Sequence, residues 1–296
     1  MEILNKIEKN IYLSYVPHGI NHDNFKPVEV PVEFKKKFFG DAEYDLVLLW
    51  SNRNIRRKQP GDVIYSYKMF CDLIGDAAKR VVLIMHTTPV DDNGTNLHAV
   101  ATDLAPECNI IFSDSKLSTL DLNYLYNISD ITLNLSDAEG FGLSTAESVM
   151  AGTPILINVT GGLQDQCGFK LNGEYLSPDD YIKLQTLSGG NKIHNQLTHG
   201  EWVFPVFSDA HSIVGSVPTP YIFEDRLNLR DVANTLCQIH TIGREGLKHR
   251  GLIGRNAFID ELGLTADNMC RGMIDSIETI IENWKPQQKF EIYKIN

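Results

Sequence analysis

The sequence predicts an α/β fold built on a doubly wound parallel sheet, and three observations carry that expectation. Short apolar runs alternate with stretches of helical periodicity at the spacing of βα units. Some runs open into charged or glycine-bearing loops just ahead of a helix, the edge where open α/β sheets bind ligands. One such loop, Glu139–Gly142, leads straight into a short helix, a junction suited to an anionic group.

The first apolar run, Tyr44 to Trp50, opens into a basic loop carrying Arg53, Asn54, Arg56, Arg57 and Lys58. A helix is expected from Pro60 to Ile74, with Val63, Tyr67, Phe70 and Ile74 at helical spacing and Pro60 suited to its first turn. Strands follow in RVVLIMHTTP (80–89), NIIFSD (109–114) and ITLNLS (131–136), separated by the helical stretches NLHAVATDL and TLDLNYLYNIS. Right-handed crossovers are the expected hand. His86, at a strand end, reads at least as well as a satisfied polar residue as it does as a ligand contact. Beyond Ile155 the strand ILINV reaches the pair Gly161–Gly162. Residues 163–220 carry less pattern; SGGNKIHNQLTHGEW and VGSVPTP read as parts of an insertion against the ligand pocket. Helices are expected from Leu229 to Ile242 and from Ala266 to Trp284. The second carries a stripe of Met273, Ile277, Ile280 or Ile281, and Trp284, read as core packing.

With 296 residues, 43% hydrophobic and 22% charged, the chain can bury one large core or two modest ones. Its formal charge of −11 opposes wrapping a nucleic-acid backbone, whereas a ligand with two phosphates needs only a few local cations. The five cysteines include no C-x-x-C, so reduced, packed thiols are expected. MEILNKIEKNIY has no apolar run of signal-peptide length, and nowhere do about 18 apolar residues follow one another, so a cytoplasmic protein is expected.

The stretch EGFGLSTAESVMAGTPI, Glu139 to Ile155, organises the rest. Gly140 and Gly142 free the backbone for tight conformations and close ligand approach. Ser144 and Thr145 are placed to cap the helix, Ala146, Val149 and Met150 carry its apolar face, and Gly152 with Thr153-Pro154 stops it. The N–H groups of its first turn, with the macrodipole, favour a phosphate. Glu139 and Glu147 stand eight positions apart. Carboxylates suit hydroxyls, so one can hold a hexose and the other a ribose, with a diphosphate between them. Alone, the two glutamates read most simply as a solvated loop acid and a helix-surface acid.

The whole string shifts that reading, because it resembles the E-x7-E motif of retaining glycosyltransferases of the GT-B fold, family 4 especially, written close to EGFGLPxLEAMACGTPV. Glu139, Gly140, Phe141, Gly142, Leu143, Glu147, Gly152, Thr153 and Pro154 match; Ser144, Ser148, Val149, Met150 and Ala151 depart, at cap or helix-packing positions. The resemblance implies a Rossmann-like sheet of the GT-B type, the C-terminal donor domain, with extra C-terminal helices. It implies that Glu139 positions the donor sugar and Glu147 the ribose, while Gly140, Phe141, Gly142 and Leu143 form the donor loop. Arg53 and Lys58 match the arginine and lysine, five apart, that hold the donor diphosphate. Arg56 and Arg57 stay open as a solvated turn or as substitutes for Arg53. Gly19, Phe25 and Pro27 match the segment leading between the two domains. His18 beside it reads as a hydrogen-bonding residue rather than a base. The loop after Phe112 falls where the family meets the nucleobase, largely through main chain.

No cofactor is implied: the nucleotide-diphosphate sugar is the donor substrate, and the absence of D-x-D agrees with metal-independent transfer. Residues 1–43 are expected as linker and N-terminal segment, 44–242 as the nucleotide-sugar-binding domain, and 243–296 as helices packing on it. The segment before Tyr44 is too short for a second doubly wound domain. The acceptor half is therefore expected on another polypeptide, or lost from a truncated form, or replaced in a shortened protein. The expected function is retaining transfer to an acceptor that the sequence does not specify. The alternative is a donor-binding subunit of a heteromeric transferase, inactive alone. A dinucleotide-dependent oxidoreductase is disfavoured, since no G-x-G-x-x-G follows the first strand. Nothing in the sequence points directly to nucleic acid or membrane as a partner.

Overall fold

A computed structural model describes residues 12–177, 180–181 and 196–285. The expectations that fell on residues 1–11, 178–179, 182–195 and 286–296 lie outside the described residues. Six strands, β1 (Leu46–Ser51), β2 (Val81–His86), β3 (Ile110–Ser113), β4 (Ile131–Asn134), β5 (Ile155–Asn158) and β6 (Val203–Val206), form one sheet. Their order is β3-β2-β1-β4-β5-β6, and every pair is parallel. The helices are α1 (Val32–Phe39), α2 (Pro60–Ile74), α3 (Leu97–Leu104), α4 (Thr119–Ile128), α5 (Leu143–Met150), α6 (Leu229–Asn256) and α7 (Ala266–Asn283).

Both faces of the sheet are covered, and for that reason its strands are apolar throughout rather than alternating. Val47 and Leu49 of β1 join a core shared with Leu125 and Tyr126 of α4 and Ala146, Val149 and Met150 of α5. Leu46, Leu48 and Trp50 point the other way, into a second core with Val63, Tyr67 and Phe70 of α2, Leu97 of α3 and Val232, Leu236 and Ile239 of α6. Helices on both faces of a parallel sheet make the fold doubly wound, as expected. Strand order reverses between β1 and β4, so the loops leaving those two strands flank the crevice at the carboxyl edge.

Several expectations require correction. Residues 12–19, in the expected linker, form no strand; the segment meets the fold through the Ser14–Ser276 and Tyr15–Asp165 hydrogen bonds and the stacking of His18 on Phe141, and Ile20 then bridges to Thr265. Residues 1–43 also contain α1, whose Phe34 and Phe38 pack against the first core. Helix α6 is broken at Gly243, at φ 73° and ψ 167°, so the helix expected from Leu229 to Ile242 ends where the sequence puts it, and a further helical stretch runs on from the kink to Asn256. A hairpin, β7 (Ala210–Ile213) with β8 (Phe223–Arg226), follows β6 and had no clear sequence signal. The stripe on α7 is not core: Met273, Ile277, Ile280, Ile281 and Trp284 are all exposed, and α7 has no buried residue among those described. The helix rests by one flank on the N-terminal segment, through the Ser14–Ser276 hydroxyl pair at 2.8 Å and the approach of Gly272 to Val16. Among the described residues, no helix is long and apolar enough to cross a membrane.

Candidate functional site

The two loops at the switch point are built to meet. After β1, the buried Asn54 donates its amide to the carbonyls of Thr88, Pro89 and Thr95 at 3.4, 3.1 and 2.7 Å, which pins the start of the basic loop. Residues Arg56–Lys58 form a 3-10 turn, and Gln59 closes it in the left-handed region at φ 50°. That turn is fastened to the loop after β4. Asp137 N–H donates to Arg57 O at 2.9 Å, and the Gln59 amide donates to the Asp137 carboxylate. Burial pushes the Asp137 carboxyl up to about 7, against the opposing pull of Arg226 and Gln59.

The clamp brings Lys58 to Glu139: the ammonium donates to Glu139 Oε2, with only 10% and 9% of the two side chains exposed. Burial draws the Lys58 ammonium below the ordinary lysine value, and Glu139 opposes that shift. Arg57 reaches the same loop, donating to Ala138 O at 2.9 Å and lying 3.5 Å from Glu139 Oε2. Arg53 instead pairs with Asp91 at 3.0 Å with its side chain 65% exposed.

Both glycine-bearing turns are set by packing. Gly142 is the N-cap of α5 at φ 91°, where a Cβ would lie 2.4 Å from Leu163 Cδ2. The capping expectation for Ser144 and Thr145 is therefore wrong. The left-handed turn at Gly142 starts the helix two residues before a cap at Ser144 would, leaving Thr145 Oγ1 to donate to Gly142 O at 2.9 Å. Gln166 fixes the turn from outside, its amide donating to the carbonyls of Phe141 and Gly142 at 2.6 and 3.0 Å. Gly162 N–H donates to Glu139 O at 2.9 Å, and a Cβ on Gly162 would sit 1.9 Å from Gly140 O. The pair after β5 thus supports the Glu139 backbone at a distance no side chain permits.

A cavity of about 740 Å³ opens between these loops, and Arg53, Lys58, Glu139, Gly140, Phe141, Gly142, Leu143 and Glu147 all line it. Glu147 accepts a hydrogen bond from Tyr126 Oη at 2.8 Å, and burial raises its carboxyl above the usual range. Tyr126 is itself buried, with Phe25 edge-on at 5.9 Å. Sequence reading missed Tyr126, because in TLDLNYLYNIS it shows only as part of an apolar helix face. It also passed over the Tyr15 hydroxyl, which donates to Asp165 at 2.5 Å on the cavity wall. His18 stacks on Phe141 with ring centroids 4.8 Å apart. His86 is satisfied by Ser113 Oγ at 3.0 Å.

The cavity combines an uncapped helix start, a lysine and three carboxylates, those of Glu139, Glu147 and Asp165. Two polar atoms on its wall, Asn52 Nδ2 and Ser144 Oγ, are buried without a hydrogen-bond partner among the described residues. Such atoms cost free energy until something supplies an acceptor or donor. The arrangement is chemically suited to a ligand that is anionic at its centre and hydroxylated at both ends. Among the described residues, no group of three or more His, Cys, Asp or Glu is placed to hold a metal ion.

The profile of the family described as glycosyl transferases group 1 matches residues 33–185. No match is found among curated protein sequences. Solved structures share the fold. A glycosyltransferase from Rickettsia africae is 17% identical with a TM-score of 0.61, covering 91% of this chain and 57% of its own. A sucrose-phosphate synthase from Thermosynechococcus elongatus is 15% identical with a TM-score of 0.61, covering 95% and 56%. HepE from Anabaena, solved with UDP and glucose, is 14% identical with a TM-score of 0.57, covering 88% and 55%. The chain thus spans little more than half the length of each of these three structures.

Proposed function

The chain belongs to the glycosyl transferases group 1 family, and from that premise we propose that it transfers a sugar, with retention, from a nucleotide-diphosphate sugar to an acceptor hydroxyl. The observation that carries this reading is the Lys58–Glu139 ion pair, in one cavity with Glu147 and the uncapped start of α5 at the strand-order switch point. The diphosphate lies against the N–H groups of Leu143 and Ser144, with Ser144 Oγ beside it. Lys58 turns from Glu139 towards its charge, and Arg53 exchanges Asp91 for it. Leaving-group charge is the main electrostatic problem of the reaction; the helix N–H groups meet it already in place, and the two cations meet it by changing partners. Glu139, freed of part of its ion pair, takes the sugar hydroxyls, and Glu147 takes the ribose. The bond from the anomeric carbon to the diphosphate oxygen breaks, and the acceptor oxygen bonds to that carbon from the same face. The hydroxyl proton passes to the departing diphosphate, and no protein nucleophile is used. In this reading residues 44–242 hold the donor, the remaining segments pack on that unit, and neither a cofactor nor a metal ion takes part.

The test is isothermal titration with UDP-glucose, UDP-N-acetylglucosamine and GDP-mannose. Wild type binds at least one of them, and Lys58→Ala and Glu147→Ala each weaken that binding about tenfold or more. Unchanged affinity in both variants overturns the proposal. A second reading has its own observation: the chain covers 55–57% of the three structures named above. A donor-binding subunit binds the same ligand yet turns over only when an acceptor-binding polypeptide is added.

A further inference from the structure

Behind the cavity lies a second one of about 380 Å³, and the two share a wall made by Tyr15 and Asp165. Its lining is unlike that of the first. Phe169, Tyr175 and Tyr181 line it together with Leu262 and Leu264, and no lysine or arginine lines it among the described residues. Two polar groups stand among these rings. Asp165 takes the Tyr15 hydroxyl on Oδ2, and burial raises its carboxyl. Gln164 is 9% exposed, and its Oε1 has no hydrogen-bond partner among the described residues, while its Nε2 is used by Gly161 O at 3.0 Å. Tyr181 Oη donates to the main-chain carbonyl of Gln164 at 3.2 Å, which ties the ring to the backbone that carries the amide.

Aromatic faces beside a carboxylate and an unmet amide oxygen fit an uncharged ring with apolar C–H faces and hydroxyls at its edge, which is a pyranose. They suit a second phosphate poorly, since no lysine or arginine lines the cavity among the described residues and the nearby Lys170 ammonium lies over the Tyr175 ring, 4.1 Å from its centroid. We propose that this cavity binds a sugar ring of the acceptor, so that part of the acceptor site resides on this chain. The inference rests on the donor reading above, since it is the shared wall at Tyr15 and Asp165 that sets the ring beside the transferred sugar. Asp165 accepts its hydroxyls and Tyr181 stacks against its face.

The experiment uses maltose, lactose and chitobiose as probes of the full chain, by saturation-transfer difference NMR with the first cavity filled by saturating UDP. At least one disaccharide shows transfer to its ring protons in the presence of UDP. Asp165→Asn and Tyr181→Ala each weaken its Kd about tenfold, while the melting temperature stays within a few degrees of wild type. Transfer that disappears when UDP is added places the sugar in the donor cavity and overturns the proposal. So does an absence of transfer from all three sugars, or full transfer in both folded variants. UDP binding is measured first by titration. If UDP fails to bind, the donor reading falls; if UDP binds and the disaccharides do not, only the acceptor pocket falls.

Discussion

Replacing Gly142 by alanine tests whether the start of α5 is shaped as described, and the structure sets the size of the effect. A non-glycine residue at φ 91° carries a backbone cost of about 1–2 kcal/mol. The new methyl carbon would lie 2.4 Å from Leu163 Cδ2 and 2.9 Å from Thr145 Oγ1. Leu163 is fully buried and has no solvent to move into, so overpacking adds about 1–3 kcal/mol. Loss of unfolded-state freedom returns about 0.4–1 kcal/mol. The net is roughly 1–5 kcal/mol, which for a domain of this size lowers the melting temperature by several degrees to the order of 10 °C. The control is two residues away: alanine at Gly140 meets nothing within 4 Å, and its φ is not positive. Gly140→Ala should change stability by no more than about 0.5 kcal/mol. Thermal and urea unfolding of the three proteins side by side measure the difference. If Gly142→Ala unfolds with wild type, or if Gly140→Ala falls equally far, the account of this turn is wrong.

Three further outcomes follow from the site. Tyr126→Phe removes the hydroxyl that donates to the buried Glu147 at 2.8 Å, costing about 1–3 kcal/mol in urea unfolding and weakening donor binding in titration. Asp91→Asn releases Arg53 from its ion pair, so UDP affinity rises a few-fold if Arg53 is a diphosphate ligand; no change assigns that role away from Arg53. Asp137 has its carboxyl raised from 3.8 to about 7, so over that interval the folded state keeps a proton that the unfolded chain has released. Its contribution to stability is full at low pH and is lost as pH rises through about 7. Relative to Asp137→Asn, wild type should therefore lose stability between about pH 4 and pH 7, read as the difference in urea midpoints at each pH.

The sequence alone determined whatever depends on neighbours along the chain. Strand and helix follow from periodicity, so β1 to β5 and α2 to α5 stand where the apolar patterns put them. The loop from Glu139 to Gly142 was legible because two glycines and a helix within a few residues leave the backbone few choices, and that spacing fixes Glu139 at the loop and Glu147 on the helix. Even there, the left-handed conformation of Gly142 makes it, rather than Ser144, the cap from which the helix begins. Tertiary structure alone decided every contact made across the sheet. Lys58 and Glu139 are 81 residues apart and meet only because β1 and β4 are neighbours. Tyr126 reaches Glu147, and Tyr15 reaches Asp165, through packing that no local pattern encodes. The stripe on α7 shows the limit most plainly. Helical periodicity reports which side chains share a face, but whether that face meets core or solvent depends on which other elements reach it, a property of the assembled fold.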